Sequence, residues 1–360
     1  HIQSGKVPRC EVSAICSRNA PAFDAEGAQW FDTYEALIDS GLCDAVLVAT
    51  PTMSHREIGS YALRRGLHLL MEKPIGLSLA EAESLLAEAG SGQAFALMLN
   101  QRTDPVFTAM KRIIDEGVIG PIQRTHWTMT NWFRPEVYYQ VSDWRATWVG
   151  EGGGLLLNQC IHNLDVFQWL CGMPASLSGF CSFGKYHAIE VEDEASAFLQ
   201  YANGATGVFI GSTGEAPGVN RFDVVGDRGT LSYDGKQLLL SENAESTRDF
   251  SRNTRDMFGM PALSVKDITP HESVNQHALV LTNFVDAVLD GDALIAPAAE
   301  GLHSLALANA ILLSAWEGEV INFPLDSRRY QQALDQRIKD SVLREKADIE
   351  AIIDMGKSYR

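Results

Sequence analysis

The chain has 360 residues, 46% hydrophobic, 21% charged and 9% aromatic, long enough for two domains of ~100–200 residues and unlike a disordered or fibrous polymer. Its 29 basic against 46 acidic side chains leave a net charge of −17, which repels phosphate backbones and anionic bilayers and sets nucleic acids and membrane surfaces aside as partners. No apolar run reaches the ~18–20 residues of a bilayer span, and residues 1–20 hold no signal-peptide core. The six cysteines form no C-x-x-C pair, so the expectation is a reduced, cytoplasmic protein with no metal site.

Four near-continuous apolar runs open the chain: Val12–Cys16, Ala45–Thr50, Leu67–Met71 and Ala94–Leu99. Such runs suit strands buried on both faces of a parallel sheet. Segments of helical spacing lie between them, Thr33–Ser40, Ser54–Arg65 and Ser78–Ala89. Ser78 and Glu81 have the spacing of a capping box, and Gly66 and Gly90 are natural helix stops. The alternation predicts a doubly wound α/β domain over residues 1–102.

From residue 103 the pattern changes. A helix is expected over Pro105–Glu116, a strand over Gln123–Asn131, then an irregular aromatic stretch to Trp148. The triplet Gly152–Gly154 precedes an apolar helix running to about Leu170. Strand-like segments follow without helices between them: Leu177–Phe183, Ala195–Tyr201, Ala205–Ser212, Arg221–Val225, Thr230–Tyr233 and Gln237–Ser241. The turn Ala202-Asn203-Gly204 reads as a hairpin, which predicts a mainly antiparallel sheet. Helical segments Val274–Leu289, Ala298–Trp316 and Ser327–Met355 close a second domain spanning 103–360.

In a doubly wound sheet ligands sit at the carboxyl ends of the strands. Those ends carry Ser17-Arg18, Thr50-Pro51, Glu72-Lys73-Pro74 and Asn100-Gln101-Arg102. Lys73, held between Glu72 and Pro74, is the candidate catalytic cation; its bland alternative is a surface lysine in a turn. Behind the Gly triplet, Asn158 and His162 are four apart and would share a helical face, with Asp165 three further on able to orient the imidazole. A lone histidine on an apolar helix is commonly a satisfied core residue, but this spacing favours a catalytic reading.

Taken together these motifs resemble the glucose–fructose oxidoreductase/inositol dehydrogenase family (Gfo/Idh/MocA). Glu72-Lys73-Pro74 matches the family's E-K-P motif, Thr50-Pro51 a strand-end motif along the cofactor, and the Gly-triplet segment with His162 the second-domain motif. Val191–Ala195, Asn283–Ala287 and Ser314–Pro324 resemble later landmarks. The resemblance implies a Rossmann-like domain joined to an α/β domain with a large open sheet that makes homodimers or homotetramers. It also implies an NAD(P)(H) cofactor contacted by Ser17, Arg18, Thr50, Pro51, His55, Glu72, Lys73, Asn100 and Arg102.

Three departures carry meaning. The family's opening strand and G-x-G-x-x-G turn are not found, and His1 resembles the residue just beyond that turn, so an N-terminal truncation is expected. Ser17-Arg18 stand where an acidic residue would meet the ribose 2′-hydroxyl, which leans toward NADP(H), although Arg18 stacking on adenine is the alternative. Asn158 replaces a common aspartate, and an amide moves no proton at neutral pH. Acid–base work would fall on His162, with Lys73 stabilising the reacting oxygen.

Trp144, Arg145 and Tyr139 lie in the aromatic stretch and suit the C–H faces and hydroxyls of a sugar, the alternative being core packing or an interface; His277 is a further substrate candidate. The expected function is an NAD(P)-dependent dehydrogenase oxidising a secondary ring hydroxyl of a sugar, glycoside or cyclic polyol, a glycoside 3-dehydrogenase being one specific form. A redox glycosidase with tightly bound NAD and a non-catalytic sugar-binding regulator are the rival readings.

Overall fold

The computed structural model describes residues 1–19, 27–345, 347, 349 and 352. They form two compact units, His1–Asp104 with Val274–Leu305, and Pro105–Ser273 with Ala306–Arg360.

In the first unit, β1 (Ala14–Cys16) pairs in parallel with β2 (Gln29–Phe31). A separate parallel sheet joins β3 (Ala45–Val48), β4 (His68–Met71) and β5 (Phe95–Leu97). Helices Tyr34–Asp39, His55–Arg64 and Leu79–Leu86 supply the crossovers. Thr33 caps the first by accepting from the Ala36 amide. Ser78 caps the third by accepting from the Glu81 amide, while the Glu81 carboxylate takes the Leu77 amide. Gly66 ends the second helix at φ +82°, whereas Gly90 lies beyond the third, which already stops at Leu86.

The expected boundary at 102/103 needs one correction, because residues 274–305 fold with the first unit. The helix Gln276–Asp290 presents Ala278, Val280, Leu281 and Phe284 to a core shared with Leu70, Ala96 and Met98. The segment after it adds to the edge of β5, where the Leu97 amide donates to the Ala296 carbonyl at 3.0 Å. Burying that apolar stripe against the sheet is worth more than chain continuity.

The second unit holds a nine-stranded sheet made of β6 (Ile122–Met129), β7 (Ser176–Phe183), β8 (Glu192–Gln200), β9 (Thr206–Ser212), β10 (Asn220–Gly226), β11 (Gly229–Tyr233), β12 (Leu238–Asn243), β13 (Leu263–Asp267) and β14 (Ile321–Asn322). Their spatial order is β13-β12-β11-β10-β6-β9-β8-β7-β14. All pairs are antiparallel except β6–β9. Period-two alternation buries Trp127, Ala197, Leu199, Phe209 and Phe222 on one face and leaves Phe180 and Phe198 exposed on the other.

Helix Ala298–Glu317 is long and apolar enough to cross a bilayer by length and composition, contrary to the reading of apolar runs, but 72% of its apolar window is buried inside the fold. The C-terminal helix runs over Ser327–Asp340 rather than to Met355, which lies outside the described residues. Beyond it the chain turns to bond segment 140–143: the Arg344 amide donates to the Asp143 carbonyl and the Ala347 amide to the Gln140 carbonyl.

Candidate active site

Parallel pairing brings the ends of β3, β4 and β5 to one edge of the first unit. The Glu72 amide donates to the Val48 carbonyl at 2.8 Å, so the Glu72-Lys73-Pro74 turn leaves β4 beside the end of β3. The Lys73–Pro74 peptide is cis, and Lys73 is half-buried. After β1, Ser17 Oγ donates to the Asn19 carbonyl at 2.6 Å and accepts from Trp30 Nε1 at 3.2 Å; Arg18 is exposed. Ser17, Arg18, Thr33 and Thr50 line part of a cavity of about 1220 Å³ that reaches β1 and β3.

Three of the expected cofactor contacts are buried. His55 is 1% exposed, with Nδ1 2.8 Å from the Pro74 carbonyl and Nε2 2.9 Å from the Thr50 carbonyl. Burial lowers its pKa, against the raising effect of those carbonyls. His55 therefore sits inside the fold between the two strand ends. Arg102 is 2% exposed and pairs with Glu300, donating also to the Ile295 carbonyl at 3.3 Å. Its guanidinium closes the first unit around segment 295–300. Asn100 is buried too, and its Nδ2 donates to Gln276 Oε1 at 2.7 Å. His277 follows Gln276 in the first turn of that helix and is half-buried.

In the second unit the Gly triplet does not start the helix. Residues 155–159 form consecutive turns, and the helix begins at Ile161. The Asn158 amide donates to the Gly154 carbonyl in helical fashion, but the Cys160 amide reaches back five residues to Leu155, which interrupts the ladder. Asn158 and His162 are therefore not on one helix; His162 lies in the first helical turn and is half-buried. Asp165, 1% exposed, accepts from Gln168 Nε2 at 3.1 Å.

Glu192, fully buried at the start of β8, organises these turns. Its carboxylate accepts from the Gly154 amide at 3.0 Å and the Leu156 amide at 2.9 Å. Burial pushes its pKa up to about 7, against the lowering effect of those amides. A Cβ at position 154 would stand 2.4 Å from the Glu192 carbonyl oxygen, so only glycine fits there. Beside it, Asp193 accepts from the amides of Lys185, Tyr186 and His187, and lies 3.1 Å from His187 Nδ1.

The aromatic stretch folds into a polar cluster around Asn158. Asn158 Nδ2 donates to Glu151 Oε1 at 2.5 Å, and Tyr138 Oη donates to Asn158 Oδ1 at 3.5 Å. Arg145 donates to Tyr138 Oη, as does Gln159 Nε2 at 3.3 Å. The Arg145 guanidinium lies over the rings of Tyr138 and Trp144, at 4.4 and 4.9 Å. Asn158, Arg145 and Trp144 are thus brought together. Tyr139 is not: it is 5% exposed, its hydroxyl donates to Thr213 Oγ1 at 3.2 Å, and its ring packs 4.8 Å from His187. Burial raises its pKa, and its role is to pack the loop.

Glu151 and Glu192 are residues that sequence reasoning did not single out, whereas Tyr138 belongs to the aromatic stretch already read as suited to a sugar. The legible signal for Glu192 is the Glu192-Asp193 pair at the head of an alternating strand, where either register buries a carboxylate. For Glu151, next to a Gly triplet, no comparable signal exists.

Two family models match the chain: an oxidoreductase family domain with an NAD-binding Rossmann fold over residues 2–99, and the GFO/IDH/MocA C-terminal domain over residues 107–232. Inositol 2-dehydrogenase of Rhizobium meliloti (strain 1021) is 27% identical over 297 residues, covering 81% of this chain and 83% of that protein. A scyllo-inositol 2-dehydrogenase (NADP(+)) of Bacillus subtilis (strain 168) is 26% identical, covering 83% and 84%. The WlbA dehydrogenase of Bordetella pertussis, solved with NADH and UDP-GlcNAcA, superposes with a TM-score of 0.75 at 25% identity, covering 91% of this chain and 97% of that one.

Proposed function

This chain belongs to the Gfo/Idh/MocA family of oxidoreductases, and on that premise we propose that it is an NAD(P)-dependent dehydrogenase acting on a secondary ring hydroxyl of a sugar, glycoside or cyclic polyol. The observation that carries this reading is the cluster of Tyr138, Arg145, Asn158 and Gln159 just before the turn of helix that bears His162. Ring faces next to amide and hydroxyl groups and a guanidinium suit a polyhydroxylated ring, which offers C–H faces and hydroxyls together. The inositol dehydrogenases, and the WlbA dehydrogenase solved with UDP-GlcNAcA, support the substrate class.

The first unit would take a nicotinamide dinucleotide at its strand ends, where Ser17, Arg18, Thr33 and Thr50 line one end of a cavity that runs along β1 and β3. When bound, that cofactor supplies the two-electron acceptor. Ser17 and Arg18 would hold its ribose end, and the Arg18 guanidinium favours NADP(H), although Asp32 and Glu35 line the same cavity. In the second unit His162 would serve as the base for the hydroxyl proton and Asn158 would hold a hydroxyl; in the first, Lys73 would stabilise developing negative charge on oxygen. Exposed Phe180 and Phe198 on the open sheet face support association into a homodimer or homotetramer.

The test is a screen of the protein with NAD+ and NADP+ against inositols, free sugars and glycosides, following absorbance of the reduced cofactor. Reduction with at least one ring polyol is expected. Net hydrolysis of a glycoside without added cofactor, or binding without turnover, would replace this reading by a redox glycosidase or a regulator.

A further inference from the structure

We propose that residues 254–262 and β13 form a clasp by which one copy of this chain grips a second, with Phe258 as its anchor. The inference rests on the self-association proposed above and is independent of the dehydrogenase reading.

The segment leaves the helix Thr247–Asn253 and enters β13. Its backbone is fixed from within. Thr254 Oγ1 accepts from the Asp256 amide at 3.1 Å, Asp256 Oδ1 from the Phe258 amide at 3.0 Å, and the Asp256 carbonyl from the Gly259 amide at 3.3 Å. The Ala262 carbonyl accepts from the Ala244 amide at 2.8 Å, which moors the segment to the end of β12. Between these ties the apolar side chains stay outside: Met257 is 86% exposed, Phe258 87% and Met260 83%, followed by Leu263 at 63% and Val265 at 56%. A turn that bonds its polar groups to itself has its shape in advance of any partner, so little ordering entropy opposes docking.

Three observations make the partner a second copy. The first is area. At about 200 Å² for a fully exposed side chain of this size, the five expose roughly 750 Å². That exceeds the ~300–600 Å² of the largest apolar patch on a typical monomer and approaches the ~800 Å² that each partner gives to a standard interface. The second is continuity. Val265 stands in register, strand by strand, with Ser241, Thr230, Val225, Arg124, Thr206 and Gln200. Gln200 is two residues from Phe198, so Leu263 and Val265 project from the same open face as Phe198. The third is charge. A chain of net charge −17 repels its own copy, yet on this face Arg221 pairs with Asp223 at 2.9 Å and Lys185 with Glu194 at 2.6 Å. Asp223 lies in the row of Phe198, through His126 and Val208. Charges neutralised in pairs let the face meet its own copy across a two-fold axis, where each chain gives one clasp and receives one. The same net charge opposes an anionic bilayer as the occupant.

Sedimentation velocity of the full chain, from nanomolar to micromolar concentration, tests this with the parent and Phe258→Ser. The parent associates, and Phe258→Ser weakens association by at least about 30-fold, the loss of one interface anchor. Its thermal unfolding at nanomolar concentration matches the parent's, because within one copy the ring lies almost wholly in solvent. Equal association of parent and variant overturns the clasp and leaves association through Phe180 and Phe198 standing. A parent that stays monomeric at micromolar concentration overturns the association and the clasp with it, and flotation of that monomer with phosphatidylcholine vesicles would give the tip to a bilayer. If Phe258→Ser unfolds, benzoylphenylalanine at position 258 decides instead: irradiation at micromolar concentration yields a covalent dimer, and an associated parent that yields none overturns the proposal.

Discussion

His55 Nδ1 lies 2.8 Å from the carbonyl oxygen of Pro74, so the first residue of the helix His55–Arg64 is bonded to the residue following Lys73. The other ring nitrogen lies 2.9 Å from the Thr50 carbonyl, so the imidazole sits between two strand ends of the first unit, and in its neutral form it donates to one of the two. The arrangement gives that histidine a structural task at the edge where a cofactor is expected.

Its titration has a definite sign. Burial favours neutral His55, so its pKa is lowered. Its contribution to stability is complete above the ordinary histidine value of ~6.5 and is lost as pH falls through the lower folded value. His55→Gln should cost ~1–3 kcal/mol at pH 8 and less at pH 5, measured by chemical denaturation. An equal cost at both pH values would refute the linkage.

Lys73→Met and His162→Asn each remove a group assigned to the chemistry. Turnover should drop by at least about 10²-fold in either variant, with the unfolding midpoint close to that of the parent, because both side chains are only half-buried. Normal turnover in one variant removes that residue from the mechanism.

Cofactor choice turns on Arg18, which is exposed and follows Ser17 at the end of β1. NADP(H) should bind more tightly than NAD(H), and Arg18→Ala should erase the difference, read by calorimetric titration of both nucleotides. Equal affinities in the parent would end the preference.

Glu192 titrates in the opposite sense from His55. Burial raises its pKa to about 7, so its contribution is complete below the ordinary carboxyl range and is lost as pH rises through 7. Glu192→Gln should therefore gain stability relative to the parent between pH 5 and pH 8, by on the order of 3 kcal/mol for a fully buried group. A pH-independent difference in unfolding free energy would show that the carboxyl ionises normally.

The local elements were legible because they follow short-range rules. The apolar run Ala45–Thr50 contains β3, Ser78 caps the helix its capping box announced, and Asn203-Gly204 turns β8 into β9. The assembled site was legible only in part. Asn158, Arg145 and Trp144 do come together, but a bond from Cys160 back to Leu155 breaks the helix assumed to join Asn158 to His162. β13 and β14 carry no signal of their own; each is a strand because an existing edge accepts it.

What the residues determined unaided was periodicity, capping and the chemical types gathered at strand ends, since these depend on neighbours a few positions apart. Burial was decided by packing between segments far apart in the chain. His55, Arg102 and Tyr139 looked like ligand contacts and became internal braces because their polar atoms found Pro74, Glu300 and Thr213. Glu151 and Glu192 became central by the same cause. A buried carboxylate must find donors, and the amides and amide side chain it finds here come from segments whose proximity no spacing rule encodes.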